Sequence, residues 1–119
     1  MKYVDGFVLP VPKKKLKSYA RIASMAAKVW MEHGALEYRE CAGDDLNVKF
    51  GVSFAKTIKA KPNETVIFAW IVYKSRAHRD RVNAKVMQDP RLNEMMKDRE
   101  MPFDVKRMNY GGFKVIVEA

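Results

Sequence analysis

"TVIFAWIVY", residues 65–73, decides the fold. The run reads as a β-strand, and side chains alternate along a strand, so Phe68, Trp70 and Val72 project to one face and Ile67, Ala69, Ile71 and Tyr73 to the other. Both faces are apolar. Antiparallel sheets ordinarily keep one side polar and wet, so this strand belongs at the centre of the molecule with something packed on each flank.

Working outward, "KYVDGFVL" at residues 2–9 alternates and ends at Pro10, which predicts a first strand. A helix follows, with Pro12 suited to its first position and Leu16, Ala20, Ala23, Ala27 and Trp30 recurring every three or four residues as one apolar stripe. Gly34 supplies a left-handed stop. "ALEYRECA", residues 35–42, is the second strand, and residues 43–64 form a long connection with room for a short irregular element. After the third strand Ser75 caps a second helix that ends near Asp89, where Asp89-Pro90-Arg91 opens a further turn toward "LNEMM". "KRMNYGGFKVIVE", residues 106–118, is the last strand, and its Gly111-Gly112 pair predicts a bulge or a close backbone approach. The order βαββαβ is the α+β, ferredoxin-like unit: a four-stranded antiparallel sheet with two helices on one face. The 119 residues make a single domain, 1–119.

Helices on one face leave the other apolar face uncovered. Val66, Phe68, Trp70 and Val72 would present on the order of 500 Å² of apolar surface, an upper bound of about 12 kcal/mol on full desolvation. A second copy of the same sheet would cover it, giving a two-fold homodimer with Phe68, Trp70 and Val72 in its interface; stacked nucleic-acid bases are the other candidate. The RNA-recognition motif shares the strand order, and "VIFAWIVY" matches the aromatic half of its third-strand signature. Val66 and Ile67, however, stand where that signature wants a cation and a glycine.

Charge also argues against nucleic acid. Lys13, Lys14, Lys15, Lys17, Arg21 and Lys28 against Glu32 give residues 12–33 a net +5; Lys74, Arg76, Arg79, Arg81, Lys85 and Arg91 against Asp80 and Asp89 give residues 74–91 a net +4. Together they account for the whole formal charge of +9. The excess lies on the helices, opposite the sheet face that would stack bases. With Val82 and Val86 marking the inward side of the second helix, Arg76, Arg79, Arg81 and Lys85 scatter around its remaining circumference, the pattern of a solvated face.

Hydrophobic residues make up 48% and charged residues 31%, the balance of a folded globular domain. Cys41 is the only cysteine, which rules out an intrachain disulfide and a cysteine zinc cluster and makes a reducing, cytoplasmic setting the expectation. Asp5 and Gly6 interrupt the first apolar stretch, and the longest apolar run is the strand at 66–73, so neither a signal peptide nor a membrane span is expected. His78 lies four residues before Val82 and is expected to be a partly buried, hydrogen-bonded histidine; His33 is expected to cap the end of the first helix. The two lack metal-ligand spacing, and no cofactor motif is present, so no metal and no cofactor are expected.

"GALEYREC", "ETVIFAW", "YKSRAHRDRVNAKVMQDPR", "MPFDVKRM" and "YGGF" together resemble the bacterial YbaA-like family of unknown function over nearly the full chain. The sequence departs from that pattern at Val105, where a glycine is usual, and at Asn109, where an apolar residue is usual. The resemblance implies the dimeric α+β barrel superfamily, whose members pair their sheets face to face. Other branches of it include cofactor-independent monooxygenases and isomerases.

The functional expectation is a homodimer that binds a small apolar or anionic molecule in a pocket between the sheet, the second helix and the loop at 101–105. Arg79 or Arg107 would clamp an acidic group, Asp80 would orient the arginine or accept a proton, Asn83 would complete the polar set, and Tyr110 would donate a hydrogen bond. A monooxygenase or isomerase-like enzyme is one alternative, an RNA-binding module another.

Overall fold

The local signals act where their chemistry directs. Ser75 Oγ accepts a hydrogen bond from the His78 amide at 3.1 Å, satisfying an orphan donor in the first turn of the helix that follows. Gly34 sits at φ 112° and ends the first helix in the left-handed conformation that favours glycine. The structure is a computed structural model and describes residues 1–96 and 101–119.

Strand β1 spans Tyr3–Pro12, and a 3₁₀ turn at Lys13–Lys15 leads into α1, Leu16–Glu32. Strand β2 is Glu37–Ala42, α2 a single turn at Phe54–Thr57 within the long connection, and β3 Glu64–Tyr73. Helices α3, Arg76–Met87, and α4, Pro90–Met96, precede a 3₁₀ turn at Val105–Arg107 and β4, Asn109–Lys114. The sheet order is β2-β3-β1-β4 with every neighbouring pair antiparallel, the α+β ferredoxin-like arrangement. β1 pairs with β3 over ten residues, from Tyr3↔Tyr73 to Pro12↔Glu64. β3 is therefore interior to the sheet, as its double apolar pattern demands.

Its two faces meet different surroundings. Ile67, Ala69, Ile71 and Tyr73 are buried under the helices, with Leu9, Val11, Tyr19 and Ala23 around one end and Val29, Ala35, Val82 and Val86 around the other. On the opposite face Trp70 and Val72 are half-buried and Phe68 is 45% exposed. Alternation places Val4, Val8 and Phe113 on that same side, and Phe113 is 61% exposed. Helix α2 reaches this face at one end, its Phe54 ring 5.9 Å from that of Phe68, which in turn lies 5.5 Å from Trp70.

Two sequence expectations need adjustment. Pro12 ends β1 instead of opening the helix, and α1 begins at Leu16. The last strand stops at Lys114, after which the Val115 amide still bonds the Lys2 carbonyl at 3.1 Å while Ile116 and Val117 are exposed. Gly111 and Gly112 pair in unbroken register with Gly6 and Asp5, so there is no bulge. The close approach is real: a Cβ on Gly112 would collide with the ring and hydroxyl of Tyr3. Among the described residues no helix is long and apolar enough to cross a membrane.

Candidate functional site

Two polar clusters lie on the helix-covered side of the sheet. The first is built on Asp5. Alternation from Tyr3 through Asp5 and Phe7 to Leu9 turns all four toward the helices, so the carboxylate is carried into the core and is 1% exposed. Arg79, one turn before the buried Val82 of α3, reaches down to it: Nη1 donates to Asp5 Oδ1 at 2.8 Å, and the arginine side chain is only 14% exposed. Its Nε donates to Asp80 Oδ1 at 2.8 Å, Nη1 also donates to the Tyr110 hydroxyl at 3.3 Å, and the guanidinium stands 4.9 Å from the Tyr3 ring centroid. Asn83 Nδ2 donates to Asp5 Oδ2 at 3.5 Å, while its Oδ1 accepts from Trp30 Nε1 at 3.0 Å and from the Tyr73 hydroxyl at 3.2 Å. Burial pushes the Asp5 carboxyl above the usual range, against the pull of Arg79 and its hydrogen-bond donors. Burial also works against the Arg79 charge, and the carboxylates of Asp5 and Asp80 more than offset it.

Of the predicted ligand-binding residues, Arg79, Asp80, Asn83 and Tyr110 thus come together, around an aspartate that sequence reasoning did not include. Arg107 does not join them. Its guanidinium donates to both oxygens of Glu64, at 2.7 and 2.9 Å, and to the Lys59 carbonyl at 3.0 Å, pinning the 105–107 turn to the start of β3. These bonds hold the Glu64 carboxyl below its ordinary range. Arg76, Arg81 and Lys85 are solvated as expected, whereas Arg79 leaves the expected scatter by turning inward.

The second cluster borders a cleft of about 400 Å³ between α1 and β2. The helix wall is Leu16, Tyr19, Ala20, Ala23, Ser24 and Ala27; the sheet wall is Tyr38, Glu40 and Ala42 of β2 with Ile67 of β3. Most of the apolar stripe of α1 therefore lines an opening, because alanines reach too short a distance to close the gap to the sheet. Tyr38, Glu40 and Ala42 alternate with outward residues and so share one face. At the polar end the Tyr19 hydroxyl donates to Glu40 Oε1, and the Tyr38 hydroxyl donates to Oε2 at 2.7 Å. Tyr19 is held from behind by Phe103 of the 101–104 loop, the rings edge to face at 5.5 Å. Burial first, and then Glu40, pushes both phenols well above the ordinary tyrosine range, so they remain protonated donors. No sequence motif marks this triad; the one available signal is the i, i+2 spacing of Tyr38 and Glu40 on a strand.

The remaining titratable groups are held locally. His78 Nδ1 accepts the Lys74 amide at 2.9 Å, as expected for a partly buried, hydrogen-bonded histidine, and burial together with Lys74, Arg81 and Lys85 lowers its pKa. His33 pairs through Nε2 with Asp89 Oδ2 at 2.8 Å, joining the end of α1 to the start of α4. Cys41 sits half-buried on β2, opposite Phe68. Among the described residues no group of three or more His, Cys, Asp or Glu is disposed to hold a metal ion.

Comparison with known proteins places this geometry. A family model described as "Protein of unknown function (DUF1428)" matches residues 2–105. Uncharacterized protein YbaA of Escherichia coli K12 is 46% identical over 118 residues, spanning 99% of both chains, and the Shigella flexneri protein of the same name matches to the same extent. An uncharacterized NIPSNAP domain protein from Burkholderia xenovorans superposes with a TM-score of 0.61 at 12% identity, covering 98% of this chain and 97% of its own. A NIPSNAP family protein of unknown function from Agrobacterium tumefaciens gives 0.59 at 12% identity, over 96% and 87%. The structural neighbours share the fold alone; the near full-length match to YbaA and the family model show that this chain belongs to the DUF1428 family, built on a NIPSNAP-like, ferredoxin-like α+β scaffold.

Proposed function

We propose that the chain works as a two-fold homodimer and binds a small, largely apolar molecule in the cleft between α1 and β2 of each protomer. The observation that carries this reading is the cleft itself. Its volume of about 400 Å³ falls within the span of small-molecule sites, and its walls are mostly alanine, leucine and isoleucine with a short polar set at one end. The Arg79–Asp5–Asn83 network supports a structural role instead: its members bond one another, and together they fasten α3 to β1 and β4. Small-molecule panels screened by native mass spectrometry, with amide shifts mapping the site, test the proposal. Binders should perturb Ala20, Ala23 and Ala42, and Ala20→Trp should abolish the effect while the fold persists. Binders that shift only residues around Arg79 would return the site to the α3 side. Turnover of a bound molecule would make the protein an enzyme rather than a passive binder.

The dimer rests on the other face of the sheet. Phe68, Trp70 and Val72 share that face with Val4, Val8 and Phe113, and Phe68 and Phe113 stand exposed on it, bordered on β2 by Glu37, which accepts from Trp70 Nε1 at 2.6 Å. Two such faces related by a two-fold axis would bury each other. Light scattering should give twice the chain mass of 13.7 kDa, and Trp70→Glu should halve it. A wild-type monomer would overturn the assembly.

A further inference from the structure

The α1–β2 cleft carries a preference for one ligand chemistry, and it follows from counting protons at its polar end. A tyrosine hydroxyl has one proton to donate, and both Tyr19 and Tyr38 spend theirs on Glu40. What remains at that end is acceptor capacity: the unused lone pairs of the Glu40 carboxylate and of the two phenol oxygens. Of the residues lining the cleft, Ser24 has the one side-chain hydroxyl not bonded to Glu40, and no lining side chain is a lysine, arginine or histidine. We infer that the cleft takes a largely apolar molecule ending in a hydrogen-bond donor, an ammonium or a hydroxyl, and rejects carboxylates and phosphates. This rests on the cleft being a binding site and narrows the "apolar or anionic" expectation from sequence to one side.

The strong positive charge of α1 appears at first to point the other way. Lys17, Arg21 and Lys28 are exposed and share a helical stripe with Ser24, so they stand along the rim of the cleft, while Leu16, Ala20, Ala23 and Ala27 line it without charge. None of the three cations lines the cleft, and their charged ends lie in solvent, where the high dielectric weakens their field. A ligand atom in contact with Glu40, at roughly 3 Å, meets the carboxylate with no intervening solvent, and the nearer charge dominates. The tyrosines do not alter that balance. Held protonated by burial and by Glu40, they add no charge, and they have no second proton with which to meet an anion.

A matched set on one skeleton tests the inference: 2-naphthylmethylamine, 2-naphthylmethanol and 2-naphthoate, titrated into the full-length protein with amide shifts of Ala20, Ala23 and Ala42 as the readout. The amine should bind at least about tenfold more tightly than the naphthoate, with the alcohol between them. Glu40→Gln, which keeps one oxygen for one tyrosine proton and turns an NH2 donor toward the other phenol oxygen, removes the charge and should erase the advantage of the amine without changing the fold. Naphthoate binding in the cleft as tightly as the amine would overturn the donor preference and leave the cleft standing as a site. No shift at these alanines with any of the three compounds would overturn the cleft, and the preference with it.

Discussion

The two polar clusters under the helices are made of similar parts, a carboxylate that accepts from two side chains, and they differ in what surrounds them. Around Asp5, 1% exposed, the surroundings are protein: Arg79 and Asn83 donate to the carboxylate, Trp30 and Tyr73 donate to Asn83, and Tyr110 accepts from Arg79. Around Glu40 two donors are supplied and the rest of the carboxylate faces a cleft. A closed cluster serves the fold, because its buried carboxylate has no side open to an outside molecule. An open one holds the fold less and has capacity to spare, and this makes the second the better candidate for chemistry with an outside molecule.

Removing one partner from the closed cluster should produce the largest effect. Arg79→Met leaves the buried Asp5 carboxyl without its cation and should cost about 3–5 kcal/mol in urea unfolding, whereas Asp5→Leu combined with Arg79→Met should recover most of that loss. A double variant as unstable as the single one would erase the distinction between the clusters. Alkaline pH comes next. The phenols of Tyr19 and Tyr38 have folded-state pKa values above the ordinary 10.0, so their contribution is complete below about pH 10 and is lost as pH rises beyond it, when the unfolded chain sheds protons the fold retains. Tyrosinate absorbance should therefore lag in the native protein and appear with unfolding. Tyr19→Phe with Tyr38→Phe should flatten the alkaline limb, and a limb of unchanged steepness would mean that these phenols ionise freely. At neutral pH the same substitutions, taken singly, should cost only about 0.5–1.5 kcal/mol each, since cleft water can replace the lost donor at Glu40. A cost as large as that of Arg79→Met would mean the second cluster is as closed as the first.

Much of the architecture was legible because its signals are local or periodic. The double apolar pattern of 65–73 foretold an interior strand and an apolar open face, and Ser75 and Gly34 marked helix ends by their own chemistry. The site was less legible. The set Arg79, Asp80, Asn83 and Tyr110 assembles as grouped, yet Arg107, three residues from Tyr110, ends the 3₁₀ turn ahead of β4 and reaches Glu64 instead. Asp5 could have been found: it is the one acid among the inward positions Tyr3, Asp5, Phe7 and Leu9, and a buried acid demands a cation. The apolar stripe on α1 gave a correct helix face and did not disclose the cleft beneath it. Periodicity shows which way side chains point, and it says nothing about whether Ala20, Ala23 and Ala27 are long enough to fill the space they point into.

Tyr3 links the edge of the sheet to its most sensitive interior point. Its ring lies against the bare backbone of Gly112 on one side and meets the Arg79 guanidinium on the other. One methyl group added to Gly112 would act as a lever, tilting the tyrosine and disturbing the ion pair beneath α3 without touching either charge.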